Sequence, residues 1–187
     1  MALLLLGRPW WAVPFVLLAA FFAFFFRDPD RQTPGGSNLV ISPADGKVML
    51  AGPAVSSPPP GEWQQITIFL SPMDVHINRV PIGGRVTRIE RLRGTFLPAY
   101  RAESAGNERT EVWVEHNGRT VVFRQVVGVL ARRVVCRLTP GQTVTTGERF
   151  GLMKFGSRMD VFVPPAARLR VGASDYVRGG ETVLAEL

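Results

Sequence analysis

The sequence is poor in the residues that build disulfides and metal sites. Its 187 residues include one cysteine, Cys136, and two histidines. A single cysteine can form neither an internal disulfide nor a cysteine-based zinc site, so both are excluded and no metal is expected. Lysine is also scarce, being found only at positions 47 and 154, so arginine supplies nearly all of the 22 basic residues.

The composition argues against long helices. The chain carries 19 glycines and 15 prolines, which interrupt helices and coiled coils and favour a turn-rich β protein. Its length suits one compact domain of about 150 residues with an appendage. The formal net charge of +7 indicates a polyanionic partner, either nucleic acid or an acidic membrane surface.

A hydrophobic segment stands near the start of the chain. Residues 10–26 carry no charge, and at about 1.5 Å per residue a helix of this length only just crosses a bilayer core of about 30 Å. Such a helix could span, lie shallowly or re-enter. Tryptophans at positions 10 and 11 suit the headgroup level. The segment ends in Phe-Arg-Asp-Pro rather than a small-residue cleavage site, which favours a retained membrane anchor and junction over residues 1–31, against a signal peptide or a docked helix.

The charges flanking this segment barely distinguish the two sides of a membrane. Arg8 precedes it, and Arg27 and Arg31 follow it among acidic residues, so the positive-inside rule gives no clear orientation. The absence of a cysteine pair is compatible with a reducing compartment. We therefore expect the domain formed by residues 32–187 on the cytoplasmic face of the cell membrane.

From residue 39 onward the pattern changes to short strands separated by turns. Asn117-Gly118 is a strong hairpin signal, and residues 125–133 are the only candidate helix in the domain. Runs of β-branched and aromatic residues predict strands at residues 39–41, 46–50, 66–70, 112–114 and 120–123.

The last third of the chain contains two similar units. Residues 140–150 and 171–185 each lead through a valine and a glycine turn into a returning strand. Residues 42–48 and 84–89 look like matching segments in the first half. This pattern resembles lipoyl-like, barrel-sandwich hybrid folds, in which two similar halves pack as a flattened barrel. The predicted fold class is therefore mainly β, with an N-terminal hydrophobic helix.

Three segments combine residue types that carry chemistry. Residues 42–46, Ser-Pro-Ala-Asp-Gly, place an acid at the start of a strand, although Asp-Gly alone commonly marks a turn. Residues 69–81 bring an acid, a histidine and an arginine together where a strand enters a turn. Residues 153–164 contain Gly156 and Ser157 within what otherwise reads as one strand, which indicates a bulge or a close backbone approach.

Together these segments resemble the short form of the phosphatidylserine decarboxylase proenzyme family over essentially the whole chain. The Phe-Phe-Arg-Asp-Pro end of the anchor and the Asn-Glu-Arg-Thr block at residues 107–110 belong to the same resemblance. It implies self-cleavage between Gly156 and Ser157. The β chain, residues 1–156, and the α chain, residues 157–187, would remain associated as a heterodimer.

The resemblance also implies the cofactor and the reaction. Ser157 would become a covalently bound pyruvoyl group, whose ketone forms a Schiff base with the amine of phosphatidylserine and accepts electrons while CO₂ leaves. The product would be phosphatidylethanolamine. An ester-linked phosphatidylserine and an ether-linked analogue both fit the residues.

His76 is the expected acid–base group. It lies in the block that resembles the family's active site, and histidine titrates near neutrality. His116 lies in the predicted hairpin and is expected on the solvated surface. Asp45 matches the family's Asp-Gly block and would orient the imidazole or stabilise its charge. Asp74 and Asp160 are alternatives that could equally form an Asx turn or an ion pair.

Arg79 departs from the pattern of the longer-form decarboxylases, which have a second histidine at this place. The departure leaves open which group activates Ser157 for self-cleavage. His76 would then serve both maturation and decarboxylation. The planar guanidinium of Arg79 suits the lipid phosphate or the substrate carboxylate.

The arginine-rich stretches of the chain indicate first of all solvated strand faces in an arginine-biased composition. As a binding surface they favour a membrane over nucleic acid as the anionic partner. The arginine-rich stretches at residues 85–93 and 132–137 lack interleaved stacking aromatics, and anionic lipids attract such basic groups. The rival interpretation is a membrane-anchored, non-catalytic lipoyl-like binding or carrier module, in which Gly156-Ser157 is only a bulge. Lipoyl or biotin attachment needs a lysine at a hairpin tip, and Lys47 and Lys154 lie in predicted strands.

Overall fold

The computed structural model describes residues 9–55, 57–129, 134–154 and 156–187. A 3-10 turn, Pro9–Ala12, leads into helix α1, Val13–Phe25, and a second 3-10 turn lies at Ala102–Gly106. The rest of the described domain is built from strands. In chain order these are β1 (Leu39–Ile41), β2 (Gly46–Pro53), β3 (Gln64–Leu70), β4 (Ile77–Arg79), β5 (Gly84–Leu92), β6 (Arg109–His116), β7 (Arg119–Val126), β8 (Val135–Cys136), β9 (Thr143–Val144), β10 (Arg149–Leu152), β11 (Ser157–Val163), β12 (Arg168–Leu169), β13 (Tyr176–Val177) and β14 (Val183–Glu186).

Eight of the strands form one curled antiparallel sheet in the order β13-β2-β3-β11-β7-β6-β5-β9. Two three-stranded sheets, β1-β14-β12 and β4-β10-β8, complete the domain. Strand β11 lies between β3 and β7 and is buried at all seven positions. A strand covered on both faces must pair its charges internally, and Arg158 and Asp160 of β11 do so.

The five predicted strands are confirmed, most of them with longer bounds. The hairpin between β6 and β7 is also confirmed, because Asn117 and Gly118 have φ of 49° and 76°, as a type I′ turn requires. The helix predicted at residues 125–133 is wrong where it can be compared. Gln125 ends up inside β7, donating to the side-chain oxygen of buried Asn78, residues 127–129 are not helical, and residues 130–133 lie outside the described chain.

The prediction that Gly156-Ser157 interrupts one strand also needs correction. Strand β11 begins at Ser157, so the pair stands at the start of the strand rather than in its interior. A strand end leaves backbone groups outside the ladder. Of the two residues that form the Gly-Ser bond, only Ser157 therefore belongs to the strand.

Two halves of the domain repeat the same backbone hydrogen bonds. The N–H group of Val48 donates to the carbonyl oxygen of Asp175, and that of Val86 donates to the carbonyl oxygen of Gln142. At the head of each unit a glycine pairs with a valine of a two-residue strand, Gly46 with Val177 in one half and Gly84 with Val144 in the other. These pairs join the segments that the sequence marks as similar. The strand order itself establishes a mainly β fold, and the lipoyl-like architecture stays a prediction.

Helix α1 is short and apolar all round. Its thirteen residues carry no charge, and Phe25 at its end is the only one that is buried. Most of the other side chains of α1 are exposed, and so are Trp10 and Trp11 just before the helix. Within the described residues, no helix has the length and apolar character needed to cross a bilayer.

The chain leaving α1 is fastened to the domain by ion pairs. Asp28 binds Arg79 at 3.1 Å and Arg149 at 2.7 Å. Arg31 binds Asp45 at 2.7 Å, and it also reaches Glu181 at 3.3 Å. Because these side chains come from several elements, the junction and the β domain form one continuous packed unit.

Candidate active site

Ser157, the first residue of β11, has a buried hydroxyl that is not hydrogen-bonded. It pairs with Leu70 across from β3 and is fully buried. Its Oγ has no hydrogen-bond partner among the described residues. Buried hydroxyls are normally satisfied, so such an atom marks a strained or catalytic position. This is the side chain that the sequence singles out.

Two glycines surround the peptide bond before Ser157. Gly156 has φ of +65°, a left-handed conformation that costs little for glycine and more for other residues. A Cβ added at Gly128 would lie 2.0 Å from the carbonyl oxygen of Gly156. The backbone at position 128 therefore lies directly against the carbonyl that Ser157 would attack.

We expect Gly128→Ala to slow self-cleavage by roughly 10²-fold, because a misplacement of about 1 Å at a reacting centre costs this much. The added methyl group would force the Gly156 carbonyl away from its present position. The measurement is the cleaved fraction against time by intact-mass spectrometry. Gly172→Ala is the control, since its Cβ would meet only one atom, at 4.0 Å. Cleavage of both variants at the same rate would contradict the prediction.

His76 lies in the turn that leads from β3 into β4 and is fully buried. Its Nδ1 lies 2.8 Å from the carbonyl oxygen of Asp74, while its Nε2 is buried and has no hydrogen-bond partner in the described part of the chain. A carbonyl oxygen only accepts hydrogen bonds, so Nδ1 must carry the proton and Nε2 presents a free lone pair. The imidazole is thus held in the tautomer of a general base.

The surroundings of His76 keep it neutral. Burial lowers its pKa below the ordinary 6.5, and the hydrogen bond to the Asp74 carbonyl and the nearby Asp74 charge oppose this only in part. The positive charge of Arg27 lowers the pKa further. The Phe25 ring packs on the imidazole with centroids 4.1 Å apart. At neutral pH the group is therefore an unprotonated base.

The fold brings His76 and Ser157 to the same end of β3. Ser157 pairs with the last residue of β3, and the turn carrying His76 begins directly after it. The carbonyl of His76 accepts a hydrogen bond of 3.1 Å from the N–H of Met153, four residues before Ser157. Two buried atoms without partners, a nucleophilic oxygen and a basic nitrogen, thus belong to one corner of the domain.

Asp45 has its hydrogen bonds elsewhere. Its carboxylate binds Arg31 at 2.7 Å and accepts from the N–H of Gly179 at 2.7 Å. Asp45 raises the pKa of His76 only as the weakest of the contributing charges. The imidazole is oriented by the backbone carbonyl of Asp74 instead. A direct catalytic role for Asp45 stays a prediction, and its contacts favour electrostatic support over a hydrogen bond.

The two alternative acids serve the local structure. The carboxylate of Asp74 accepts from the N–H and the hydroxyl of Ser71, both at 2.8 Å. The carboxylate thus reaches back three residues and fastens the turn between β3 and β4. Asp160 pairs with Arg158 at 2.7 Å and accepts from Thr67. The ion pair of Asp160 is one of the structural alternatives named from the sequence, whereas Asp74 bonds backward to Ser71 rather than closing an Asx turn.

Arg79 is buried and bound to its own chain. Its guanidinium donates to Asp28 at 3.1 Å and to the carbonyl oxygens of Gly147 and Pro29. Its carboxylate partner, Asp28, is shared with Arg149. These contacts favour a role in fastening the junction, and substrate binding by Arg79 stays a prediction.

His116 is half-buried rather than plainly solvated. Its Nδ1 contacts the carbonyl of Gly83 at 2.6 Å, which ties the β6–β7 hairpin to the start of β5. The sequence shows the hairpin but not this distant partner. His116 lies at the opposite end of β6 from Arg109.

Asn107, the first residue of the 107–110 block, is buried, and its side chain hydrogen-bonds two other segments of the chain. Its amide nitrogen donates to the carbonyls of Leu97 and Val127, each at 2.8 Å. Its side-chain oxygen accepts from Thr95 and from the N–H of Leu97. Val127 precedes Gly128, so this block supports the segment that contacts the Gly156 carbonyl. The sequence marked the block without revealing this role.

Two comparisons with known proteins agree on one family. The model of the phosphatidylserine decarboxylase family matches residues 18–185. A phosphatidylserine decarboxylase proenzyme of Chlorobium chlorochromatii is 43% identical over 176 residues, covering 93% of this chain and 83% of the relative. One from Solibacter usitatus is 44% identical over 181 residues, covering 96% and 85%.

Proposed function

The chain belongs to the phosphatidylserine decarboxylase family, and from this premise we propose that it cuts its own Gly156–Ser157 bond and then converts phosphatidylserine into phosphatidylethanolamine and CO₂. The observation that carries the proposal is the buried, unpartnered Oγ of Ser157 beside a glycine with φ of +65°. Relatives named as decarboxylase proenzymes support the same activity. The carrier-module alternative is not favoured.

The residues at this bond are suited to self-cleavage. Oγ of Ser157 attacks the carbonyl carbon of Gly156, its proton passes to a base, and the bond from that carbon to the Ser157 nitrogen breaks to leave an ester. Removal of the Ser157 Cα proton then expels Gly156 as a carboxylate. Water then hydrolyses the bond between Cα and the nitrogen of residue 157. The oxygen of the water becomes the ketone oxygen, and the nitrogen leaves as ammonia. His76 is the buried base at this corner, with Nε2 available for the proton.

The residues present fit a pyruvoyl group at position 157. The side chain that would give rise to it is buried at the head of β11, with the Gly156 carbonyl before it and Gly128 against that carbonyl. Such a group supplies an electron-accepting carbonyl for the amine of the substrate. His76 would hold or deliver a proton at Nε2, and its buried surroundings would exclude water. The α chain, residues 157–187, would stay bound to the β chain through β11 and β14, which pair with β3, β7 and β1.

We further propose that the protein acts at the cytoplasmic face of the cell membrane, attached through its N-terminal segment. The exposed apolar side chains of α1 and of Trp10 and Trp11 support this attachment, since monomeric soluble proteins rarely expose so large an apolar patch. Tryptophans favour the headgroup level. The net charge of +7 adds attraction to anionic lipid.

Membrane attachment leads to a measurable expectation. We expect the wild type to float with liposomes containing phosphatidylserine. The variant Trp10→Ser/Trp11→Ser should bind roughly ten-fold or more weakly, because burying two large aromatic side chains in the lipid interface contributes a few kcal/mol. Flotation through a sucrose gradient measures the bound fraction. Tyr176→Ser is the control, because Tyr176 is an exposed aromatic of the β domain. Equal flotation of the three proteins would contradict attachment through this segment.

The proposed activity is tested on the purified protein with phosphatidylserine in mixed micelles. Release of CO₂ together with phosphatidylethanolamine, and its loss after treatment with hydroxylamine, which captures reactive carbonyls, is the expected result. Assays with ester-linked and ether-linked lipids in parallel would show which of the two is used. A protein that remains one uncleaved chain and releases no CO₂ would refute the proposed function.

We also propose that the domain is a barrel-sandwich hybrid of the lipoyl-like kind. The repeated hydrogen bonds of its two halves, made by Val48 and Val86 to corresponding positions, support this architecture. A solved structure of the protein superposed on itself, one half on the other, tests it directly.

A further inference from the structure

An arginine-lined cavity of about 550 Å³ lies at the end of the large sheet. It is formed where β5 ends and β6 begins. Arg91, Arg93 and Arg109 line it, together with Glu108 and Val127. Neither the proposed self-cleavage nor the acid–base chemistry of His76 uses these side chains. The cavity is large enough for a small organic ligand.

The positive charge in this cavity is poorly compensated. None of its three arginines forms an ion pair with another of the described residues. Within the described ranges, Arg109 donates to the neutral carbonyls of Ala105 and Asn107, and its buried Nε has no partner there. Burial and the nearby Arg124 lower the pKa of Arg109. Among the described residues that line the cavity there are three guanidinium groups and one carboxylate, that of Glu108. Glu111 and Asp160 also raise the pKa of Arg109, but less than burial and Arg124 lower it. An anion would therefore be stabilised here.

The strand register places the cavity two strands away from the start of β11. Arg158 on β11 pairs with Val126 on β7, and Val126 pairs with Arg109 on β6. Neighbouring strands lie about 4.8 Å apart, so the backbones of β11 and β6 are separated by roughly 10 Å. One residue further along, Val127 lines the cavity and precedes Gly128, which lies against the Gly156 carbonyl. The cavity and the scissile bond therefore share the end of β7.

This separation suits a serine phospholipid headgroup. Its amine must reach position 157, and its phosphate follows two carbons and one oxygen away. An arginine side chain reaching from β6 or from the end of β5 can span the remaining distance to that phosphate. Guanidinium groups bind phosphate oxygens through paired, charge-assisted hydrogen bonds. The guanidinium of Arg79 instead already donates to Asp28 and to two backbone carbonyls, which makes it a weaker candidate for this task.

We propose that Arg91, Arg93 and Arg109 bind the phosphate of the substrate headgroup and hold its serine part toward position 157. The inference rests on the proposed decarboxylase function. It assigns a phosphate site to residues that take no part in making the reactive carbonyl. Substrate affinity and self-cleavage should therefore respond differently when these arginines are changed.

The test compares two charge-matched variants. Arg91→Gln/Arg93→Gln removes the two exposed arginines of the cavity, and Arg85→Gln/Arg119→Gln removes two exposed arginines outside it. A water-soluble, short-chain phosphatidylserine below its micelle concentration avoids any effect of surface charge. We expect KM of the cavity variant to rise roughly ten- to hundred-fold through loss of charge-assisted hydrogen bonds. Both variants should self-cleave fully and keep kcat within a few-fold of the wild type.

Two ligands without lipid chains distinguish a headgroup site from a general anion site. Glycerophosphoserine and inorganic phosphate should inhibit the wild type competitively, and both should inhibit the cavity variant less. If the cavity variant lost phosphate binding but kept the KM of the wild type for the lipid, the cavity would be a site for free phosphate only, and the proposal would be overturned. An equal KM for the two variants would also overturn it. Absence of cleavage and of CO₂ release in the wild type would instead refute the proposed function.

Arg109→Gln is a second, more severe variant. Because Arg109 is half-buried and bonded to two backbone carbonyls, its substitution could also disturb the fold, so its melting temperature is measured alongside. A raised KM with an unchanged melting temperature and full self-cleavage supports the proposal. An unchanged KM in a folded, cleaved Arg109→Gln protein counts against it.

Discussion

Ser157→Ala is expected to remain one chain of 20.6 kDa and to release no CO₂ above the uncatalysed level. The alanine has no oxygen to attack the Gly156 carbonyl, so no ester forms, nothing is eliminated from residue 157 and no ketone arises there. The wild type should instead yield a 31-residue α chain, residues 157–187, about one sixth of the total mass. Intact-mass spectrometry and a CO₂-release assay measure the two effects.

The fold should survive this substitution. Oγ of Ser157 makes no hydrogen bond with the residues that the structure describes, so its removal leaves none of them unsatisfied, and deleting a buried unpaired hydroxyl is neutral or stabilising. We therefore expect a melting temperature no lower than that of uncleaved wild type. Ser37→Ala is the control, because Ser37 is exposed in the turn before β1. Cleavage of Ser157→Ala at its normal site would remove Ser157 from the mechanism.

His76→Gln is expected to lower the rate of self-cleavage, and of any later decarboxylation, by roughly 10²–10⁴-fold, the usual worth of a positioned acid–base group. Glutamine can still donate to the Asp74 carbonyl, but it cannot accept a proton at the place of Nε2. Timed mass spectra give the cleavage rate, and single-turnover CO₂ release gives the later step. His116→Gln is the matched control and should leave both rates nearly unchanged.

The pH dependence gives a second test of His76. Its pKa is lowered by burial, so the imidazole stays unprotonated until the pH falls below the ordinary value of 6.5. The rate should therefore be flat near neutrality and decline only at acid pH, as the base form is lost. In His76→Gln this acid decline should disappear. A decline centred above 6.5 in the wild type would contradict the assignment of His76 as a buried neutral base.

Much of the strand pattern could be predicted, because β-branched runs bounded by glycine turns are local signals. The helix predicted at residues 125–133 failed because Gln125 is held in β7 by a partner 47 residues away, Asn78. No local pattern records such a contact. The glycine turns shared by the two halves were readable from the sequence, since they are set by backbone conformation.

For the site, the sequence indicated Ser157 and His76 but not what surrounds them. The orienting group of His76 is a backbone carbonyl, that of Asp74, and a carbonyl belongs to every residue, so no residue type could reveal it. The same holds for Gly128, whose role is defined by its approach to Gly156. Asp45 was linked to His76 by resemblance, whereas its carboxylate binds Arg31 and Gly179.

The contact between Phe25 and His76 bears on how the protein should be prepared. Removing the hydrophobic N-terminus is a common way to obtain a soluble version of such a chain. A truncated variant that starts at residue 27 would lose Phe25, whose aromatic ring covers one face of the imidazole. The pKa of His76 would move back toward 6.5 as water reached it. A truncated enzyme would then be a different acid–base catalyst, and its pH profile would not describe the intact protein.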